Sequence, residues 1–381
     1  MIEACYVHIP FCDKICTYCD FTKILSCTFD KKKYLATLKK EYEIYKNIVD
    51  FSAIQTLYFG GGTPSALSVD ELIELFEIFS ELLQTAAEIT FEANPESLTK
   101  EKLAVLTTYG INRISLGVQT FNEQRLQFLN RTHNKEDIKN SIKLLQENNF
   151  LNYNLDLIYA LPNQTFADVK TDIEALLELA PKHISTYALI VEPHTQLSFA
   201  IDREKIVEQT EDIQAKMYDF ISQELLKAGY IQYEFSNWCL PNYQSQHNVK
   251  YWQMAEYLGV GLGSHGYYNN VRYANTRSIN KYIELLANNT LPIYEQNEQT
   301  REQAMEEFMF LGLRLVDGVS TENFSQKFAV EIEQVYGHIL HKHLKLGNIE
   351  KTKIGYRLSV EALFISNSVL SDFIFDSNLS E

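Results

Sequence analysis

Six short apolar, β-rich runs alternate with longer helical patterns through the first half of the chain, and that alternation leaves few folds open. The strand candidates are residues 4–9, 56–59, 88–92, 113–118, 154–159 and 183–190. The helical candidates between them are 31–48, 69–83, 100–109, 122–149 and 165–179. Strands separated by helices pair in parallel, because a parallel partner needs a long crossover. Six βα units fit a complete or partial (β/α) barrel. Right-handed crossovers then put every strand's C-terminal end on one face.

The pattern changes after about Glu192. A polar helix is expected over 208–228, followed by a loop-rich aromatic stretch over 230–268. Residues 300–381 read as a separate small domain, with helices over 301–315, 321–328 and 331–346 and a short hairpin over 349–359. The chain has 381 residues, enough for two to three domains at ~150 residues each.

Lys plus Arg minus Asp plus Glu is 34 − 50 = −16. So negative a chain is a poor broad binder of nucleic acid, which needs cations to replace phosphate counterions. No apolar run is long enough to span a membrane. No basic segment followed by an apolar one marks a secretory signal. A cytoplasmic location is expected, with peripheral membrane contact left open.

Five of the six cysteines fall in the first 27 residues. In a large cytosolic chain such clustering reads as metal or redox chemistry rather than a disulfide framework. The central motif is Cys12-Asp-Lys-Ile-Cys16-Thr-Tyr-Cys19, three thiolates on one loop after the first strand. Soft thiolates suit an iron–sulfur cluster or zinc. Structural zinc takes four ligands, and no second cysteine pair is present. A [4Fe–4S] cluster on three cysteines instead leaves one iron open to a chelating small molecule. Cys5, Cys27 and Cys239 read as packing or incidental thiols.

The run Tyr6-Val-His-Ile-Pro-Phe-Cys12 through Cys19-Asp-Phe21 resembles the radical S-adenosylmethionine (SAM) superfamily. Within it the chain is most similar to the oxygen-independent coproporphyrinogen III oxidase group and that group's haem-chaperone branch. The resemblance covers nearly the whole sequence. It implies an α/β fold: a partial (β/α)6 barrel with a small helical or winged C-terminal accessory domain. The division it suggests is 1–235 for the core, 236–299 for a connecting region and 300–381 for the accessory domain. It further implies that Cys12, Cys16 and Cys19 ligate three irons while the amino and carboxylate groups of SAM chelate the fourth. An electron from the reduced cluster then cleaves the sulfonium to a 5′-deoxyadenosyl radical.

Further residues carry the resemblance. Gly60-Gly61-Gly62-Thr63-Pro64 follows the second strand, and glycines there let backbone groups approach the SAM amino group. Gly61, Gly62 and Thr63 are therefore expected to bind cofactor. Glu92, Gln119, Arg131 and Asp156 match SAM-contacting positions by resemblance. Arg131 suits a carboxylate. Asp156, an acid among apolar neighbours, is costly unless paired. Tyr18 is expected to flank the adenine. Tyr6 is a site candidate whose other reading is strand core.

Two features separate the chain from the oxidase. The oxidase has a further cysteine two residues after its third ligand, where this chain has Phe21. The oxidase also has an N-terminal arm, for which the residues before Cys12 leave no room. His247-Asn-Val-Lys-Tyr251-Trp252 matches the H-N-x-x-Y-W motif of the haem-chaperone branch. His247 is the expected haem ligand, since imidazole ligates haem iron well. Its other reading is a histidine bracing a loop. His265, in a glycine-rich turn, is a weaker candidate. His338, His341 and His343 read as surface residues.

The resemblance implies a haem chaperone that binds a [4Fe–4S] cluster, SAM and haem, and delivers haem to respiratory client haemoproteins. The alternatives are a true oxygen-independent coproporphyrinogen III oxidase, or a radical-SAM enzyme for another substrate in which His247 is structural.

Overall fold

The structure, a computed structural model, describes residues 1–203 and 205–375. Six parallel strands lie side by side in chain order: β1 (Ala4–Ile9), β2 (Thr56–Gly61), β3 (Glu88–Ala93), β4 (Arg113–Gln119), β5 (Tyr153–Tyr159) and β6 (His183–Ala188). Parallel strands covered on both faces need near-continuous apolar sequence. β4 meets that demand, being buried at every position.

The crossovers are α1 (Lys31–Lys46), α2 (Val69–Ile78) with α3 (Ser80–Thr85), α4 (Lys100–Thr108), α5 (Glu123–Phe128) with α6 (Lys135–Glu147), and α7 (Phe166–Glu178). All but α3 start where a side chain satisfies free N–H groups. Asp30 caps α1, and Ser68 with Glu71 forms a capping box on α2.

Two expected helices are each split in two. The pattern over 69–83 breaks at Phe79, which leaves helical geometry and packs its buried ring on Tyr42 and Phe59. The pattern over 122–149 breaks after α5, where Asn130 takes φ 60° and Asn134 caps α6. Arg131 thus stands on a turn rather than on a helix.

The stretch 230–268 is loop-rich as expected, with four short strands and one helix set between its loops. After α8 (Gln196–Asp202) and α9 (Glu211–Lys227) come β7 (Ile231–Gln232) and β8 (Asn237–Cys239), the latter antiparallel to β6. Then follow α10 (Gln246–Trp252), β9 (Tyr257–Val260), β10 (His265–Tyr268) and β11 (Val271–Asn275). With α11 (Ile279–Ala287) and β12 (Ile293–Glu298) they complete a sheet of twelve strands, β12-β11-β10-β9-β1-β2-β3-β4-β5-β6-β8-β7. β9 runs parallel to β1, so residues 236–299 extend the central sheet at both edges. The sheet is an open partial barrel.

The C-terminal part has its own core. α12 (Arg301–Gly312), α13 (Thr321–Phe328) and α14 (Ile332–Leu346) pack around Phe308, Phe324 and Tyr336. A three-stranded sheet of β13 (Val319–Ser320), β14 (Ile349–Lys351) and β15 (Gly355–Leu358) closes them in a helical, winged arrangement. His338 and His341 are exposed as expected, but His343 is buried against Asp372, 2.8 Å from its Oδ2. Among the described residues no helix is long and apolar enough to cross a membrane.

Candidate functional site

The cysteine loop leaves the C-terminal end of β1. Its ends are pinned together: Phe11–Cys12 pairs with Ile24–Leu25, and Ile24 N donates to Pro10 O at 2.7 Å. Its middle hangs from the turn after α5. Thr17 N donates to Leu129 O at 3.2 Å, and Asn130 Nδ2 donates to Ile15 O at 2.6 Å. Leu197 N donates to Thr17 O at 2.9 Å from the other side. These backbone and side-chain bonds hold the loop at both ends and in its middle.

Cys12 is buried, while Cys16 and Cys19 are partly exposed. Burial pushes the Cys12 thiol up to about 11, with Thr63 Oγ1 donating to its Sγ at 3.6 Å as a counterweight. Cys19 is raised for the same first reason. Metal binding has to displace these protons. Among the described residues no three His, Cys, Asp or Glu side chains converge as on a single ion. A cubane cluster takes each thiolate on a different iron, so three cysteines on one loop can hold it and leave one iron open.

Beside the loop stands a polar group drawn from three elements. Arg131 donates from Nη1 to Asn94 Oδ1 at 2.9 Å and from Nη2 to Tyr18 OH at 3.2 Å. Its Nε is buried without a partner. Asn94 Nδ2 donates to Thr63 Oγ1 at 3.5 Å. Gln119, at φ 69° where β4 ends, turns its amide toward Arg131. A Cβ placed on Gly117 would lie 2.9 Å from Gln119 Nε2 and 3.0 Å from Arg131 Nη2. Gly117 is thus the floor of this group. Asn94 and Asn130 were not singled out from the sequence, although they lie two residues after Glu92 and directly before Arg131.

Glu92 lies one strand turn deeper. Its carboxylate accepts from Tyr58 OH at 2.7 Å and from Gly61 N at 3.0 Å. Burial raises it to about 7. Gly61 takes φ 114°, and a Cβ there would meet the His8 ring at 2.4 Å. A Cβ on Gly62 would meet the Pro10 carbonyl carbon at 2.6 Å. Only glycine lets this turn pass so close to β1.

Asp156 sits in mid-strand, held by Asn154 Nδ2 at 2.7 Å and Ser115 Oγ at 3.4 Å. Burial raises its carboxyl above the ordinary range. Tyr6 donates to His8 Nδ1 at 3.0 Å and lies near Tyr58 in the barrel interior. Neither residue touches the cysteine loop.

His247 lies below Tyr58, with ring centroids 5.0 Å apart. Its ring nitrogens lie 2.8 Å from Thr56 Oγ1 and 2.8 Å from Tyr251 OH, and it is 1% exposed. Its backbone N–H donates to Glu88 Oε1 at 2.9 Å. Thr56 and Glu88 begin β2 and β3, so His247 closes the end of the barrel opposite the cysteines. Burial lowers the imidazole to about 3, which keeps it neutral. Both His247 nitrogens are engaged here and the ring is enclosed, so to ligate haem iron it would have to leave Thr56 or Tyr251.

A cysteine loop and polar cluster at the carboxyl end of an open parallel half-barrel define a protein of the radical-SAM class. The profile of the Radical SAM superfamily matches residues 6–176, and that of the HemN C-terminal domain matches residues 299–365. The chain is 37% identical to "Heme chaperone HemW" of Lactococcus lactis over 376 residues, 98% of each protein. It is 33% identical to "Heme chaperone HemW" of Bacillus subtilis over 378 residues, 98% of this chain and 99% of that one. The chain belongs to the HemW family. The Escherichia coli coproporphyrinogen III oxidase HemN superposes with a TM-score of 0.83 over 99% of this chain and 91% of that one. At 21% identity, that is a likeness of fold.

Proposed function

We propose that the protein is a cytoplasmic haem chaperone that holds a [4Fe–4S] cluster and SAM, binds haem, and passes it to haemoproteins of respiration. The observation that carries the cofactor half is the Tyr18–Arg131–Asn94 group beside the cysteine loop. A buried guanidinium with an unpartnered Nε suits the carboxylate of SAM. Cys12, Cys16 and Cys19 would hold the cluster. Gly61, Gly62 and Thr63 would frame SAM's amino end, and Glu92 would face it as a hydrogen-bond acceptor. Gln119 and Asp156 would serve the nucleoside. When bound, the reduced cluster supplies an electron to SAM. The chain's own residues fix the loop, orient SAM and limit water.

The names of the relatives support the haem half. So does Phe21, 66% exposed where the oxidase group has a cysteine. His247 is a brace in this reading. The exposed apolar Ile190 and Phe199 belong to a segment that packs on Tyr18 through Leu189 and Leu197, and they would give a client or a membrane surface a foothold. The test is an anaerobic haem titration of reconstituted protein, paired with a coproporphyrinogen III turnover assay. Saturable haem binding without decarboxylation supports the chaperone. Turnover without haem binding supports the oxidase.

A further inference from the structure

A cavity of about 790 Å³ lies between the end of the cysteine loop, the β9–β12 edge of the sheet and α12. That volume falls within the ~300–1,000 Å³ of small-molecule and cofactor pockets. Six of its nineteen lining residues are aromatic, Tyr6, Phe21, Tyr251, Trp252, Tyr257 and Tyr294, and the carboxylates Asp20, Glu295 and Glu307 lie at its polar side. Flat apolar walls with a few polar groups suit a flat macrocycle.

Two histidines line this space, and they differ. His8 is buried with both nitrogens engaged, Nδ1 with Tyr6 OH and Nε2 with Thr22 O at 2.8 Å. His265 is exposed, lines the cavity and has no hydrogen-bond partner among the described residues. Its backbone is fixed: it pairs with Ala274, and a Cβ on Gly259 would lie 1.9 Å from its carbonyl oxygen.

The cations of the cavity also differ. Arg272 is committed to Glu307 at 2.5 Å and to Tyr257 OH at 3.2 Å. Arg277 donates from Nε to Thr22 Oγ1 at 3.0 Å and from Nη2 to Asp20 O at 2.7 Å, with Asp20 Oδ2 4.0 Å away. Its Nη1 stays free at an exposed edge.

We propose that haem occupies this cavity, with His265 as an axial ligand to the iron and Arg277 facing a propionate. The assignment rests on the haem-chaperone reading. It gives the free imidazole, the aromatic walls and the free guanidinium edge one common occupant. It also ties the haem site to the cluster loop, because Arg277 grips the residues just after Cys19.

The test is a haem titration of the full-length, cluster-loaded chain followed by Soret absorbance and electron paramagnetic resonance. The wild-type chain saturates with a single haem. His265→Ala weakens binding by more than the roughly tenfold that even second-shell losses cost at metal sites, and its Soret band moves. Free imidazole restores the wild-type spectrum to His265→Gly. Where His265→Ala does not fold, His265→Met keeps a ligand and changes the spin-state signature. His338→Ala, on the exposed face of α14, behaves as wild type. If the wild-type chain saturates and His265→Ala or His265→Met matches it in affinity and spectrum, the assignment is overturned while the chaperone reading stands. If the wild-type chain does not bind haem saturably, both fall.

Discussion

Arg131 Nη2 donates to the Tyr18 phenol at 3.2 Å, so a turn residue between two barrel helices holds the middle of the cysteine loop. Burial weakens the case for any charge, yet Arg131 keeps its proton because Tyr18, Cys16 and Glu96 all favour the cation. A fixed buried cation next to three thiols is an anchor for a small carboxylate.

Arg131→Ala should therefore damage SAM binding more than cluster assembly. Losing a charge-assisted hydrogen bond costs about 1.5–3 kcal/mol. That corresponds to an increase in Kd of about 10- to 100-fold. Equilibrium dialysis of labelled SAM against reconstituted protein measures it. An unchanged Kd with an intact cluster would remove Arg131 from the site.

Any one of Cys12→Ala, Cys16→Ala and Cys19→Ala should abolish the four-iron complement if, as proposed, the three hold one cluster, since no fourth cysteine stands in the loop. Iron and sulfide per chain, with the visible absorbance of thiolate-bound iron, report the loss. Cys239→Ala, buried in β8, should keep the cluster. A full complement in any of the three loop variants would refute the ligand set.

Glu41 gives a pH signature. It is fully buried, and accepts from Asn275 Nδ2 at 2.6 Å, Gly261 N at 2.8 Å and Tyr282 OH at 2.5 Å. Burial raises its carboxyl to about 7 despite these donors. The folded-state value thus exceeds the unfolded one, so the folded chain keeps a proton that the unfolded chain has released. The stabilisation is complete below the unfolded value and is lost as pH rises toward 7, at no more than about 1.4 kcal/mol per pH unit. Urea unfolding from pH 5 to 8 should show wild type losing stability relative to Glu41→Gln. A gain with rising pH would contradict the burial account.

Phe76→Ala should cost about 3–5 kcal/mol. The ring is fully buried between Phe59, Phe91 and Tyr109, and it joins α2 to the sheet. Denaturant unfolding measures the loss. Ile73→Ala, on the same helix but 37% exposed, should cost far less.

The barrel was legible because its strands are long and buried on both faces. Each expected strand falls within one or two residues of the observed one. The strands within 230–268 were not, because they are two to four residues long, too short for a period to show. Their aromatic content reads equally well as loop. Helix splits at Phe79 and Asn130 were hidden for another reason: tertiary packing and a left-handed turn override a helical pattern that continues through them. Arg131 was found as a residue but not as a geometry, since its partners Asn94 and Tyr18 lie 37 and 113 positions away. His247 shows the limit most sharply. Its motif marks the right branch of the superfamily, but the sequence does not say which end of the barrel the ring closes.

The account's central claim is that this half-barrel carries haem rather than decarboxylating its precursor. The direct measurement supplies anaerobically reconstituted protein with SAM and reductant, and follows haem and coproporphyrinogen III in parallel. The account predicts saturation by a single haem per chain, transfer of that haem to an apo-haemoprotein, and no carbon dioxide release. Carbon dioxide release coupled to SAM cleavage, with no saturable haem binding, would contradict it.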